Sequence, residues 1–330
     1  MSKLFKSRKK SSKKETSEKK PKKSISTSIK NTTSHWNFVK ITKYILSFAA
    51  VLALVTTYIW YNQLYMTPER KFWLSINNSM ATPSVVRTLT EGGSGNQVVQ
   101  NYRFNFAPQR SVQNKVVYTE KSATTDTKVV TEGIIFPTEQ FLRYTEFSNN
   151  RTDNQAPGNI DEVIGVWASS VSEDAEQAQL NYLSEQVSLV IFGNYGANFR
   201  NNLISEMQNK QVYGTNLNNA VEDTIDGVDV FVYNVNVKLK TYAEMLNNAF
   251  IEAGYGEFPP LNPDNYREDS LVNAVITVKK KDNSVVSVNF GGREERYENY
   301  GVKTQLEKPE ANLTVEELQQ KVQQLLQVNF

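Results

Sequence analysis

The stretch Phe231-Val-Tyr-Asn-Val-Asn-Val-Lys-Leu-Lys240 sets the reading of the whole chain. Phe231, Tyr233, Val235, Val237 and Leu239 fall on one side of an extended backbone, and Asn234, Asn236, Lys238 and Lys240 fall on the other. Strand side chains point alternately to opposite faces, so this period of two predicts a strand with one dry face and one wet face. A strand of that kind belongs in an antiparallel sheet packed on one side only. The turn dipeptide Asp226-Gly227 marks where it begins.

The same period recurs on both sides of this strand. Upstream, Val85 to Thr90 and Gln97 to Phe106 read as a hairpin across Gly92-Gly93-Ser94-Gly95-Asn96, with Val98, Tyr102, Phe104 and Phe106 on one face. Ser111 to Glu120, Thr127 to Phe136 and Gln140 to Phe147 continue the pattern. Downstream, Leu271 to Lys279 and Ser284 to Phe290 pair across Lys281-Asp282-Asn283. Two sheet segments result, about 85–147 and 228–304. Between them, Asn159 to Ser170, Ser172 to Val190 and Asn198 to Met207 predict a helical insert over about 159–207.

Helix signals bracket the sheet. Thr67-Pro68-Glu69 combines a hydroxyl cap, a proline in the first turn and an acid, and Phe72, Trp73, Ile76 and Met80 follow at helical spacing. Thr241 to Ala253 reads as a helix stopped by Gly254. At the end, Thr314 and Glu317 form a capping box, and Leu313 is placed to staple onto Leu318 in a helix over 314–327. Val315, Leu318, Val322 and Leu325 make a narrow stripe that predicts a helix lying on a surface.

Ahead of all this, no charged residue occurs from Tyr44 to Met66. A helix over 44–64 rises about 31 Å, enough to cross a bilayer's hydrocarbon core. Lys40 and Lys43 flank it on one side; Tyr58, Trp60, Tyr61 and Tyr65 crowd the other, as in an aromatic belt. The net charge of +2 hides a split: residues 1–43 carry fourteen Lys/Arg against Glu15 and Glu18, or +12, and the remainder carries −10. The positive-inside rule therefore predicts a cytoplasmic tail over 1–43, an uncleaved signal anchor over 44–64 and an extracytoplasmic α+β domain over 65–330. The tail is rich in Lys, Ser and Thr and has too little apolar surface to fold. It suits contact with anionic headgroups, and it lacks the interleaved aromatics that nucleic-acid binding would use.

The chain has no cysteine, and its one histidine is His35. Thiol nucleophiles, disulfides, zinc ribbons and Ser/His/Asp triads are excluded by composition. Gly92-Gly93-Ser94-Gly95 is a hairpin turn, because no helix follows it. The acids Asp264, Glu268 and Asp269 lack the spacing of a calcium loop, so neither metal nor cofactor is expected. Arg293-Glu-Glu-Arg296 and Glu298 read as a mixed-charge edge that discourages further strand pairing.

A lead-in helix, antiparallel strands, a helical insert, more strands and a last helix make an α+β plan, here a curved half-barrel with helices on its concave side. Three stretches carry a family resemblance: Asp282-Asn-Ser-Val-Val-Ser-Val-Asn-Phe290, then Tyr297-Glu-Asn-Tyr-Gly301-Val-Lys-Thr, then Lys308-Pro309-Glu. They resemble the closing strands of LppX/LprG-type lipoproteins, which share the unclosed antiparallel barrel of the LolA fold. The resemblance spans about 85–310 and implies an acyl-chain cavity or a lipoprotein-contacting surface. This chain departs from the family in having a protein anchor where those proteins have a lipidated cysteine, which argues against shuttling between membranes.

The expected function is a non-catalytic, membrane-anchored binding protein for a hydrophobic or lipid ligand, or for an envelope protein partner. The strand residues Tyr102, Phe104, Phe106, Phe136, Phe141, Phe231, Tyr233 and Val235 are the candidate lining. The rival reading is a bitopic assembly subunit of a secretion or conjugation complex with an NTF2-like exported domain. That fold opens with helices before its sheet, whereas strands begin here by Val85.

Overall fold

The protein was analysed as a computed structural model that describes residues 34–61, 66–93, 95–123, 125–151, 160–171, 180 and 182–326. The basic tail before residue 34, part of the expected insert (172–179) and the end of the expected span (62–65) lie outside the described residues. The chain divides between Trp60 and Tyr61 into two units.

In the first unit the described residues form a helix, α1 (Ser34–Ile59). Its stretch Lys40–Ile59 is long and apolar enough to cross a membrane, and none of it is buried by protein. Leu46 is 65% exposed and Phe48 70%. Thr56 returns its hydroxyl to the Leu52 carbonyl at 2.7 Å, so this polar side chain is satisfied within the helix itself. The helix starts earlier than the apolar run and takes in Lys40 and Lys43, whose long stems can carry their charges to an interface.

The second unit is built on one sheet of twelve strands in the order β12-β6-β5-β4-β3-β2-β1-β11-β10-β9-β8-β7. The strands are β1 (Ser84–Gly92), β2 (Asn96–Asn105), β3 (Ser111–Lys121), β4 (Thr125–Phe136), β5 (Glu139–Arg151), β6 (Ala168–Val171), β7 (Val221–Ile225), β8 (Val228–Lys238), β9 (Leu271–Lys279), β10 (Val285–Phe290), β11 (Arg293–Glu298) and β12 (Leu313–Thr314). Every pairing is antiparallel except β12 with β6. β7 and β12 are the two ends and do not pair, so the barrel stays open. Each step adds a twist of about 20–25°, and a sheet this wide curls around whatever covers one face. The result is an unclosed half-barrel with helices on one side.

Those helices are α2 (Pro68–Ala81), α3 (Ala197–Asn209) and α4 (Leu239–Glu252), with α5 (Val315–Leu326) further along the same face. Thr67 caps α2 by accepting from the Arg70 amide at 3.3 Å. Phe72, Ile76 and Met80 of α2 are fully enclosed, and Phe72 meets Tyr213 and Tyr233 edge-on at 5.1 Å. The capping box of α5 is present in both directions: the Glu317 amide donates to Thr314 Oγ1 at 3.1 Å, and the Thr314 amide donates to Glu317 Oε2 at 2.8 Å. α5 packs through Leu318 and Val322 against Ile160, Val163 and Ala168, beside Tyr144 and Phe147 of β5.

Three expectations need correction. Residues 159–170 are not a helix: Asp161–Val163 forms a single 3-10 turn, and Ala168–Val171 joins the sheet as β6. Leu239 and Lys240 leave the strand and open α4, because β8 ends at Lys238. The mixed-charge run is not an edge. Arg293–Glu298 is β11, an interior strand held between β10 and β1. Its charges alternate, so Glu294 and Arg296 face water while Glu295 turns inward with no exposure at all.

Candidate binding site

Register fixes which side chains share the helix-covered face. Tyr233 lies opposite Ile276, Ile276 opposite Val288, Val288 opposite Glu295, and Glu295 opposite Leu89. The same row continues through Gln100, Val116 and Thr131 to Tyr144. Six of the expected residues stand on this face: Tyr102, Phe104, Phe106, Phe231, Tyr233 and Val235 all belong to the main core. Tyr102 stacks on Phe104 at 5.6 Å and Phe104 on Phe106 at 5.9 Å. Phe136 and Phe141 stand apart. They face the opposite side of the sheet, edge-to-face at 6.3 Å, beneath Trp167, Leu306 and Ala311.

The helix expected over Ser172–Val190 is helical only at 180 and 182–184 among the described residues; from 185 the chain is irregular, and 182–195 crosses the middle of the covered face as a strap. Its own Tyr182, Leu183, Leu189, Val190 and Ile191 are buried against the sheet and helices. Charged and polar groups pin it to the sheet. Arg87, 3% exposed, donates to the Glu185 carbonyl at 2.6 Å and the Val187 carbonyl at 3.2 Å. Its guanidinium also lies over the rings of Tyr102 and Phe104, 4.6 and 5.1 Å from their centroids. Ser188 donates to Glu295 Oε2 at 2.5 Å, the Tyr297 hydroxyl donates to the same oxygen, and Arg293 pairs with Glu295 Oε1 at 2.8 Å. From the other side, Tyr242 and Tyr213 donate to the Ser188 and Leu189 carbonyls at 2.8 and 3.0 Å. Gly193 is obligatory here, since a Cβ would lie 2.3 Å from the Tyr195 ring.

Burial pushes the Tyr102 and Tyr297 phenols upward, so both stay neutral donors at ordinary pH. The Glu185 carboxyl is raised mainly by burial, against the pull of Tyr102, Arg87 and Arg293. Such a network holds an irregular segment in one position rather than offering a nucleophile or base. Among the described residues no cluster of acids and histidine could hold a metal ion.

Beneath the strap the core is filled. The void between Val85, Phe104, Phe106 and Phe192 measures about 10 Å³, room for one water molecule. Of the expected lining residues, Phe104 and Phe106 border this small void. Further along the same face, Val98, Tyr118 and Val129 are opposed in one row across β2 to β4, and Val116 and Leu142 stand on the same side in neighbouring rows; all five are only half-buried. Among the described residues none of them joins the main core or the α5 cluster, and together they form an apolar strip between the two. At about 4.8 Å per strand the strip is roughly 14 Å wide. Val98 was visible in the alternating pattern; the others were not singled out, because only register places them together.

No family model matches the chain, and no curated protein matches it. Among solved structures, the crystal structure of LprF from Mycobacterium bovis is similar at 12% identity, covering 73% of this chain and 96% of that one with a TM-score of 0.38.

Proposed function

We propose that this protein is a single-pass, membrane-anchored binding protein whose exported domain holds a hydrophobic or lipid ligand without transforming it. The observation that carries this reading is the apolar strip of Val98, Val116, Tyr118, Val129 and Leu142, flanked by Tyr144 and Phe147 under α5. Apolar surface left half-covered in a groove gains by enclosing a ligand, at about 25 cal/mol for each Å² removed from water. The fully exposed apolar stretch Lys40–Ile59 supports the anchor. The rival reading as an assembly subunit expects helices to precede the sheet, and in the exported domain α2 alone does so.

The test uses the full chain in lipid nanodiscs with a photoactivatable fatty-acyl probe. Crosslinks should map to β3, β4 and β5, and Val116→Arg with Leu142→Arg should remove most of them. Crosslinks confined to α1 in both proteins would show that the exported domain binds no acyl chain.

A further inference from the structure

A pocket of about 230 Å³ opens between the strap, the turn before β3 and the end of α4, away from the apolar strip. Phe106, Phe192 and Tyr255 supply its apolar walls. Hydrogen-bond donors reach it from three places in the chain, and Asn194 adds a side-chain amide to the wall. Arg110 lies with its guanidinium 4.2 Å from the Tyr255 ring centroid and donates to the Ala253 carbonyl. A guanidinium has five N–H donors, and that carbonyl is the one acceptor the described residues give it.

The second donor group is the N-terminus of α3. Gly196, its N-cap, lines the pocket and has no side-chain oxygen, so the first turn of the helix has no side-chain cap and the positive end of its dipole lies beside the pocket wall. The third is Gln186 on the inner wall, 9% exposed, whose enclosed Nε2 has no acceptor among the described residues. A buried amide donor without a partner costs about 1–3 kcal/mol, which an incoming acceptor would recover. One acid, Glu252, lines the rim and is exposed.

We propose that this pocket binds a small organic anion with a carboxylate or phosphate head. The head sits on the N-terminus of α3 within reach of Arg110 and Gln186, and the apolar body lies on Tyr255 and Phe192. The site is independent of the acyl-chain reading, and its probes never touch the strip.

Benzoate and phenyl phosphate, with benzyl alcohol as the neutral control, would be titrated into the full chain in nanodiscs and followed by saturation-transfer NMR. Both anions should saturate, binding at least about tenfold more tightly than benzyl alcohol, and the tighter of the two identifies the preferred head. Arg110→Gln should weaken both by about tenfold. Because Arg110 also holds the end of α4, Gly196→Asp provides the second variant. A Cβ at Gly196 meets nothing within 4 Å, and an aspartate there would cap α3 with its own carboxylate. That variant should melt at a higher temperature and lose anion binding. Equal binding of the neutral control, failure of either anion to saturate, or undiminished binding in a more stable Gly196→Asp protein would overturn the assignment.

Discussion

At the scale of single residues, the buried charges explain most of what is unusual in the core. Glu295 is entirely enclosed, yet Arg293, Ser188 and Tyr297 surround its carboxylate. A buried charge without such partners would cost several kcal/mol, so each of these side chains holds the strap as a condition of folding. Glu185, half-buried beside this network, gives a pH prediction. Its carboxyl is raised above the ordinary value of 4.5 by burial. Between that value and the raised one, the folded chain binds more proton than the unfolded chain, so stability falls as pH rises through the window and then levels off. Glu185→Gln should flatten this slope and raise the melting temperature at neutral pH, measured in thermal melts across the acidic to neutral range. An unchanged slope would mean that Glu185 titrates alike in both states. The alternation of Arg293, Glu295 and Tyr297 was readable in the chain, but nothing local told which of the two faces would be dry.

At the scale of elements, the parts set by local chemistry were legible, and those set by distant contacts were not. The Thr67 cap, the Asp226-Gly227 turn with φ of 52° and 76°, and the reciprocal Thr314–Glu317 box all stand where their residue types require. β6 and β12 were missed for a physical reason. β6 has only Ala168 to Val171, and β12 only Leu313 and Thr314; both exist because they pair with each other and β6 with β5, not because of any propensity of their own. This also shows what the α5 cap secures. Thr314 both pairs with Ser169 in β12 and caps α5, so it couples the helix to the sheet edge. Thr314→Ala should cost about 1 kcal/mol. Hydrogen exchange should speed first in α5 and β6; a uniform change over the whole domain would argue against that coupling.

At the scale of the whole molecule, composition splits the chain into a basic tail of +12 and a remainder of −10 on either side of one apolar helix. With the tail cytoplasmic, protease added to intact cells should remove the domain after residue 66 and spare the tail, which an N-terminal epitope would report. Retention of a full-length product that becomes cleavable only on lysis would reverse the topology. The sequence by itself determined the apolar helix, the α+β class and the alternation of most strands, since hydrophobic period and capping chemistry act over a few neighbouring residues. Tertiary structure alone decided that β1 meets β11, that Arg87 and Glu295 are interior, that Phe136 and Phe141 face away from the other expected aromatics, and that a half-buried apolar strip lies over β2 to β5. Each of these depends on which strands become neighbours across two hundred residues of chain, and alternation along one strand carries no information about its partner.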